Sequence, residues 1–272
     1  MTTPNASAPL DPATIARMEM MRMASVRATI SDEHERFGGL VAAWSGDCKW
    51  NSEADGWSPD APTTREHLEG VVAYYDDRQS DANLTIAPHL DGGLLPDLHD
   101  LGFRLKGVDL QFAIDLGDAA LEGARYPEGV LVVDVDLSSE EDVAEWSRLT
   151  GVTHFGGEQT DDDIRLDRRV VEHPNTRCLF VVDGATGERV GLGGVEVYDG
   201  LACLFMGGVL ESHRRRGLQL AMIRQRLHIA REMGAHHAII GSAPNSPTER
   251  NALRAGMRMV FPKLEFVRER AD

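Results

Sequence analysis

Cysteine is scarce. The 272-residue chain has three, Cys48, Cys178 and Cys203, far apart and without a C-x-x-C pair. That argues against a disulfide frame or a thiolate zinc site, and for reduced thiols in a cytoplasmic protein. Basic residues are also short: 28 Lys and Arg stand against 44 Asp and Glu, for a formal net charge of −16. DNA and RNA binders need a broad basic footprint, so this balance disfavours a nucleic-acid partner, while a cationic small molecule is compatible with it. No apolar run approaches the ~20 residues of a membrane-spanning helix, and no membrane partner is expected. The start, MTTPNASAPLDP, lacks the charged-then-apolar order of a secretory leader. Histidines are present, but His154, His213, His236 and His237 have no metal-ligand spacing, so no metal is expected.

What is there is ordinary for a soluble globular protein, with 42% apolar and 26% charged residues. The length favours two domains, expected at 1–128 and 129–272, with the boundary near the end of the mixed segment 117–129. In the first half the pattern predicts a helix over 12–30, with Met18, Met21 and Met23 as core filler, then an irregular stretch over 46–63. Thr64 reads as the N-cap of a helix reaching about residue 78, followed by a strand over 84–87, a helix over 94–101 and a strand over 104–116. The second half opens with a strand over 129–136 and a helix started by Ser138-Ser139-Glu140-Glu141. A helix over 161–173 leads to strands over 178–182, 189–198 and 202–210, with turns at Asp183-Gly184 and Asp199-Gly200. The helix over 218–233 carries Leu220, Ile223, Leu227 and Ala230 on one face; strand 238–241, helix 248–255 and strand 257–268 complete an α/β chain of the α+β kind.

Two segments repeat. LGFRLKGVDLQF (101–112) and AGMRMVFPKLEF (255–266) align without a gap, matching Gly102 with Gly256, Arg104 with Arg258, Leu110 with Leu264 and Phe112 with Phe266. Each follows a short helix, which points to a duplicated domain.

The stretch HRRRGLQ, residues 213–219, is a basic turn between an apolar strand and an amphipathic helix. Its strand carries a Gly-Gly pair, Gly207-Gly208, a signal for a bulge or bend. Consecutive backbone N–H groups at such a turn converge on one spot, reinforced by the positive end of the helix dipole. Gly217 lets an anion approach the backbone with no Cβ in the way. The spacing is that of a pyrophosphate cradle, although no G-K-[ST] follows, so it is not a P-loop. The GLGG at 191–194 precedes a strand, so it is not a Rossmann fingerprint.

On these residues the segment 130–268 resembles the GNAT superfamily of acyl-CoA-dependent N-acyltransferases. The family motif R/Q-x-x-G-x-G/A is matched by Arg214-Arg215-Arg216-Gly217-Leu218-Gln219 except at the last position, where Gln219 replaces a small residue. The resemblance implies a mixed, mostly antiparallel sheet flanked by helices. It implies that Arg214 to Leu220 hold the phosphates of acetyl-CoA or coenzyme A as co-substrate. It further implies that the backbone of Val209 and Leu210 pairs with the pantetheine arm, and that Asn245 and Asn251 are further contacts. The first half then reads as a degenerate GNAT-like copy, because its corresponding turn, SPDAPTTREHLEG, has no arginine–glycine motif. Bacterial proteins of this two-domain form are similar.

The chemistry implied is direct acyl transfer to a small amine, with room for a homodimer. Where some relatives carry a glutamate base this chain has Cys203, and where many carry a tyrosine acid it has Phe261. Glu196 and Tyr198 are the substitute candidates, and Asp161-Asp162-Asp163 is a helix start or a greeting for a cationic acceptor. Two other readings stay open: an acyl-CoA-binding protein that has lost catalysis, and an acyl-CoA enzyme with a non-amine acceptor in a biosynthetic pathway.

Overall fold

A computed structural model describes residues 10–48, 50–117, 121–157 and 159–270. The described residues form two compact units, one of 12–111 with 260–270 and one of 10–11 with 112–259. The final strand thus belongs, from Val260 onward, with the first half of the chain.

The N-terminal unit runs α1 (Pro12–Ile30), β1 (Glu33–Phe37), β2 (Leu40–Trp44), β3 (Ala54–Asp55), α2 (Arg65–Asp76), β4 (Ala82–Ile86), α3 (Pro88–Asp91), α4 (Leu95–Asp100) and β5 (Arg104–Asp115), which ends within the other unit. β1–β2 and β2–β3 are antiparallel, β3–β4 is parallel, and β11 (Arg258–Arg268) lies antiparallel on β4. The 46–63 stretch, expected to be irregular, contains β3. The β1–β2 hairpin was not expected, since every residue of β1 but Phe37 is exposed and β2 is a continuous apolar run. Neither shows the alternation that marks a half-buried strand. The core joins Leu68, Val71 and Tyr75 of α2 to Leu84 and Ile86 of β4 and Phe266 of β11. A buried ion network ties α1 to the β3 region: Arg27 bonds Asp55, Glu53 and Asn51.

The C-terminal unit runs β6 (Val130–Asp134), α5 (Glu140–Thr150), a π-helical turn (Gly151–Phe155), α6 (Asp161–Val171), β7 (Thr176–Asp183), β8 (Arg189–Tyr198), β9 (Leu201–Val209), α7 (Leu218–Glu232), β10 (His237–Ser242) and α8 (Pro247–Arg254). The strand order is β10-β9-β8-β7-β6, antiparallel except for β9–β10. Asp199 and Gly200 both take positive φ, +44° and +80°, as a two-residue type I′ hairpin requires. One sheet face packs on α5 through Trp146 and Leu149 against Cys178, Phe180 and Leu192. The other packs on α7 through Leu218 and Met222 against Val181, Val190 and Val209. Leu220, expected on the buried face of α7, is only half-buried; Ala221, Met222, Ile223, Leu227, Ile229 and Ala230 do the burying.

The two units share an order. Each has an antiparallel hairpin, then a strand (β3 or β9) joined through a helix (α2 or α7) to a parallel neighbour (β4 or β10). Each repeated segment carries a glycine of positive φ at its second residue, Gly102 at +83° and Gly256 at +87°.

Candidate functional site

The parallel β9–β10 pair makes the opening. Its register runs only from His237–Leu201 to Ile239–Cys203, while β9 continues to Val209 and β10 to Ser242. On its other edge β9 stays paired with β8, with a register shift between Leu192 and Gly194. Met206 at φ +46° marks the bulge on the β9 side. Leu210 N–H donates to Val190 O at 2.9 Å. Antiparallel alternation then turns the N–H and C=O of Val209 away from β8. The C=O accepts Arg214 Nε at 3.1 Å, and the N–H faces the opening. Of the two backbone contacts expected here, Leu210 has its amide taken by the ladder, and Val209 alone has its amide turned outward.

The start of α7 lies beside it. Arg215 and Gly217 take φ of +62° and +81°, and the N-cap Gly217 brings no side-chain acceptor. The first N–H groups of α7, at Leu218, Gln219 and Leu220, therefore leave the helix end uncapped. By contrast α2, α5, α6 and α8 are closed by Thr64, Ser139, Thr160 and Ser246. The Asp161–Asp163 run serves such a cap, because Asp163 and Thr160 complete a capping box.

A cleft of about 690 Å³ joins these features. Gly207, Gly208 and Val209 form one wall; Arg214, Arg215 and Gly217 to Leu220 form the end; Thr248, Arg250, Asn251 and Arg254 of α8 form the other wall. Among the described residues four arginines and no carboxylate line it, in a chain whose net charge is −16. Gln219, the oversized motif residue, folds back onto α8: its Nε2 donates to Thr248 Oγ1 at 2.9 Å and its Oε1 accepts Asn251 Nδ2 at 2.8 Å. That leaves the turn open. Arg216 is exposed and does not line the cleft. Asn245 does not either; its N–H donates to Glu249 Oε2 at 2.5 Å. His213 braces the turn, with Nε2 3.4 Å from Asp183 Oδ2.

The proposed base and acid lie elsewhere. Glu196 is 5% exposed on β8, between Thr176 of β7 and Cys203 of β9, with His173 Nδ1 at 3.9 Å. Tyr198 pairs with Leu201 at the hairpin end of β9. With ~3.3 Å of rise per residue, that is about 20 Å along the strand from Gly207. Neither lines the cleft. Phe261 is buried on β11, its ring centroid 5.3 Å from that of His89.

Three residues were not read as functional. Thr153 and His154, on the π-helical turn, line the cleft against Gly208. A π-helical turn within a helix is a frequent mark of function, but no sequence pattern announces one. Burial pulls the His154 pKa below 6.5; a hydrogen bond to the Thr150 backbone opposes this and the charge of Arg226 adds to it. Arg226 is 1% exposed on α7, inserted at the bulge: Nη1 donates to Gly194 O at 3.1 Å and Phe205 O at 2.9 Å, and Nε to Met222 O at 3.2 Å. Burial lowers its pKa to about 10. Only glycine leaves room for it, since a Cβ on Gly207 would meet Nη2 at 2.8 Å.

No family model matches the sequence, and no curated protein matches it. Solved structures do. A GCN5-related N-acetyltransferase from Kribbella flavida superposes with a TM-score of 0.71 at 19% identity, covering 97% of this chain and 98% of that one. Another, from Sphaerobacter thermophilus, gives 0.62 at 14%, covering 85% and 76%. A tandem GNAT protein from the clavulanic acid biosynthesis pathway, solved without acetyl-CoA, gives 0.61 at 15%, covering 86% and 80%. The fold is the GNAT fold in its tandem form. Among the described residues no helix is long and apolar enough to cross a membrane, and no group of His, Cys, Asp and Glu is placed to hold a metal.

Proposed function

We propose that this chain is an acyl-CoA-dependent acyltransferase using acetyl-CoA as donor and a small amine as acceptor. One observation carries the reading: the uncapped start of α7 opens into an arginine-lined cleft, with no carboxylate among its described lining residues, beside the unpaired edge of β9. Such an end offers three backbone donors and a favourable dipole to a pyrophosphate. Arg214, Arg215, Arg250 and Arg254 add charge-assisted bonds of roughly 1.5–3 kcal/mol each. Val209 N–H would pair with the pantetheine amides as an added strand does. In the N-terminal unit β3 has two residues and Thr64 closes α2, so one site per chain is expected, in the second half (129–272).

A binding-only reading is favoured by one specific fact, that neither Glu196 nor Tyr198 reaches the cleft. Calorimetry with coenzyme A, together with thiol release from acetyl-CoA over a panel of amines, separates the two. One site and turnover support the enzyme; one site and no turnover support the binder; no binding refutes both.

A further inference from the structure

The geometry points to His154 as the catalytic proton shuttle of the cleft, taking the proton of the acceptor amine on Nε2 and returning it to the coenzyme A sulfur. The inference rests on the acyltransferase reading and supplies the group that Glu196 and Tyr198 do not.

Hydrogen bonding fixes the tautomer. Thr153 Oγ1 donates its proton to Leu149 O at 2.7 Å. Toward His154 Nδ1, also 2.7 Å away, that hydroxyl can then only accept. Nδ1 carries the ring proton, and Nε2 keeps its lone pair. Cε1, to which Nε2 is bonded, is the ring's point of approach to β9: a Cβ on Gly208 would lie 2.9 Å from it. The imidazole therefore stands at the β9 wall, one residue from the outward-facing Val209 N–H, and keeps solvent access. The proton path is thereby separated from the phosphate end.

The charged groups around the cleft are cationic: Arg226 of α7, Arg214 and Arg215 of the turn, and Arg250 and Arg254 of α8, with His213 the other titratable residue. Burial and the charge of Arg226 favour a neutral imidazole, which is the form that can accept a proton at neutral pH. In the transfer, the amine nitrogen bonds to the acyl carbon and the carbon–sulfur bond breaks with its electron pair on sulfur. Nε2 takes the proton that nitrogen sheds and gives it to the thiolate, so amide and thiol leave with the imidazole neutral again.

The test uses the full chain and a weakly basic aryl amine, whose own protonation does not mask the enzyme's. Wild-type kcat should fall on the acid side below pH 6.5, as His154 is protonated. His154→Gln should bind acetyl-CoA with nearly wild-type affinity by calorimetry, lose about 100-fold or more in kcat, and lose that acid limb. Added imidazole should restore part of the rate in His154→Ala, which a purely structural role would not allow. Thr153→Val keeps the shape and removes the hydroxyl beside Nδ1, and should lower kcat with little change in KM. A His154→Gln enzyme with wild-type kcat and an intact acid limb overturns the shuttle. Wild-type protein that binds acetyl-CoA but acylates no amine overturns the shuttle and leaves the cofactor site standing. Absence of acetyl-CoA binding overturns both.

Discussion

Gly208→Ala should detach the π-helical turn from β9. A methyl group there would sit 2.3 Å from Thr153 Oγ1, 2.6 Å from Thr153 Cβ and 2.9 Å from His154 Cε1. Atoms at such distances must move apart, and Thr153 cannot simply swing aside because its hydroxyl is held by Leu149 O at 2.7 Å. Gly208 does not take positive φ, so alanine brings no backbone strain and the effect isolates packing. Overpacking of this kind costs ~1–3 kcal/mol, and loss of the Thr153 hydrogen bond adds about 1. At ~2–4 °C per kcal/mol, the melting temperature by calorimetric scan should fall by about 4–16 °C. Thr153→Gly removes two of the three offending atoms, so the double variant should regain much of the loss beyond what additivity allows. Unchanged melting in Gly208→Ala would show that the turn is not packed on β9, and the wall of the cleft would have to be redrawn.

Three further outcomes follow from the same geometry. At Gly217, φ of +81° with nothing within 4 Å of an added Cβ means that Gly217→Ala costs ~1 kcal/mol of backbone strain, while Gly217→Val, read by calorimetry, should also block coenzyme A; unaltered affinity in the valine variant would remove the turn from the site. Asp167, buried beside Ser147 and Gln159, has its pKa raised to about 7 by burial above all, so the folded state holds a proton that the unfolded state releases near 3.8. Its stabilising effect is present below that lower value and is lost as pH rises through about 7; Asp167→Asn should flatten urea-derived stability over that range, and an unchanged slope would mean the carboxyl is already ionised. Arg226→Met loses three hydrogen bonds worth roughly 1.5–3 kcal/mol each but relieves a charge-burial cost of about 3, for a net loss of about 2–6 kcal/mol in urea unfolding. A neutral or stabilising substitution would mean that the bulge holds itself.

How much of this was legible depended on whether a residue speaks through its neighbours in sequence. The strand Arg189–Tyr198 and the helix Pro12–Ile30 were readable to the residue, and the basic turn was readable because a motif is local. Arg226 was not. On a helix with charges every few positions it looks like one more solvated arginine, and its burial is decided by Gly193 and Gly207 on strands read separately. His154 was set aside as one of several scattered histidines, since a π-helical turn and the contact with Gly208 exist only in three dimensions. Glu196 and Tyr198 show the opposite case: their strand, β8, was readable, while the register that sets Tyr198 beside Leu201, at the far end of β9, was not. The repeated segments were visible, yet no local pattern could show that β11 from Val260 onward completes the unit built by the first half.

The shared strand–helix order of the two units makes the difference between them informative. In both, a helix starts after the strand that has a parallel neighbour, so both could present a helix N-terminus to an anion. In the N-terminal unit Thr64 and His67 form a reciprocal capping box that takes up the N–H groups of His67 and Thr64, and β3 offers two residues where β9 offers nine. In the C-terminal unit a glycine stands at the N-cap, arginines stand where a cap would, and a buried guanidinium holds the strand in a bulge. A glycine N-cap forgoes a few tenths of a kcal/mol of helix stability, and burying Arg226 adds a further cost, so this unit gives up local stability at the place where its strands part. Strain and unmet donors gathered at one point are what a ligand would compensate. The capped copy has no such deficit, which is why thermal stabilisation by coenzyme A should appear in the intact chain and vanish with Gly217→Val.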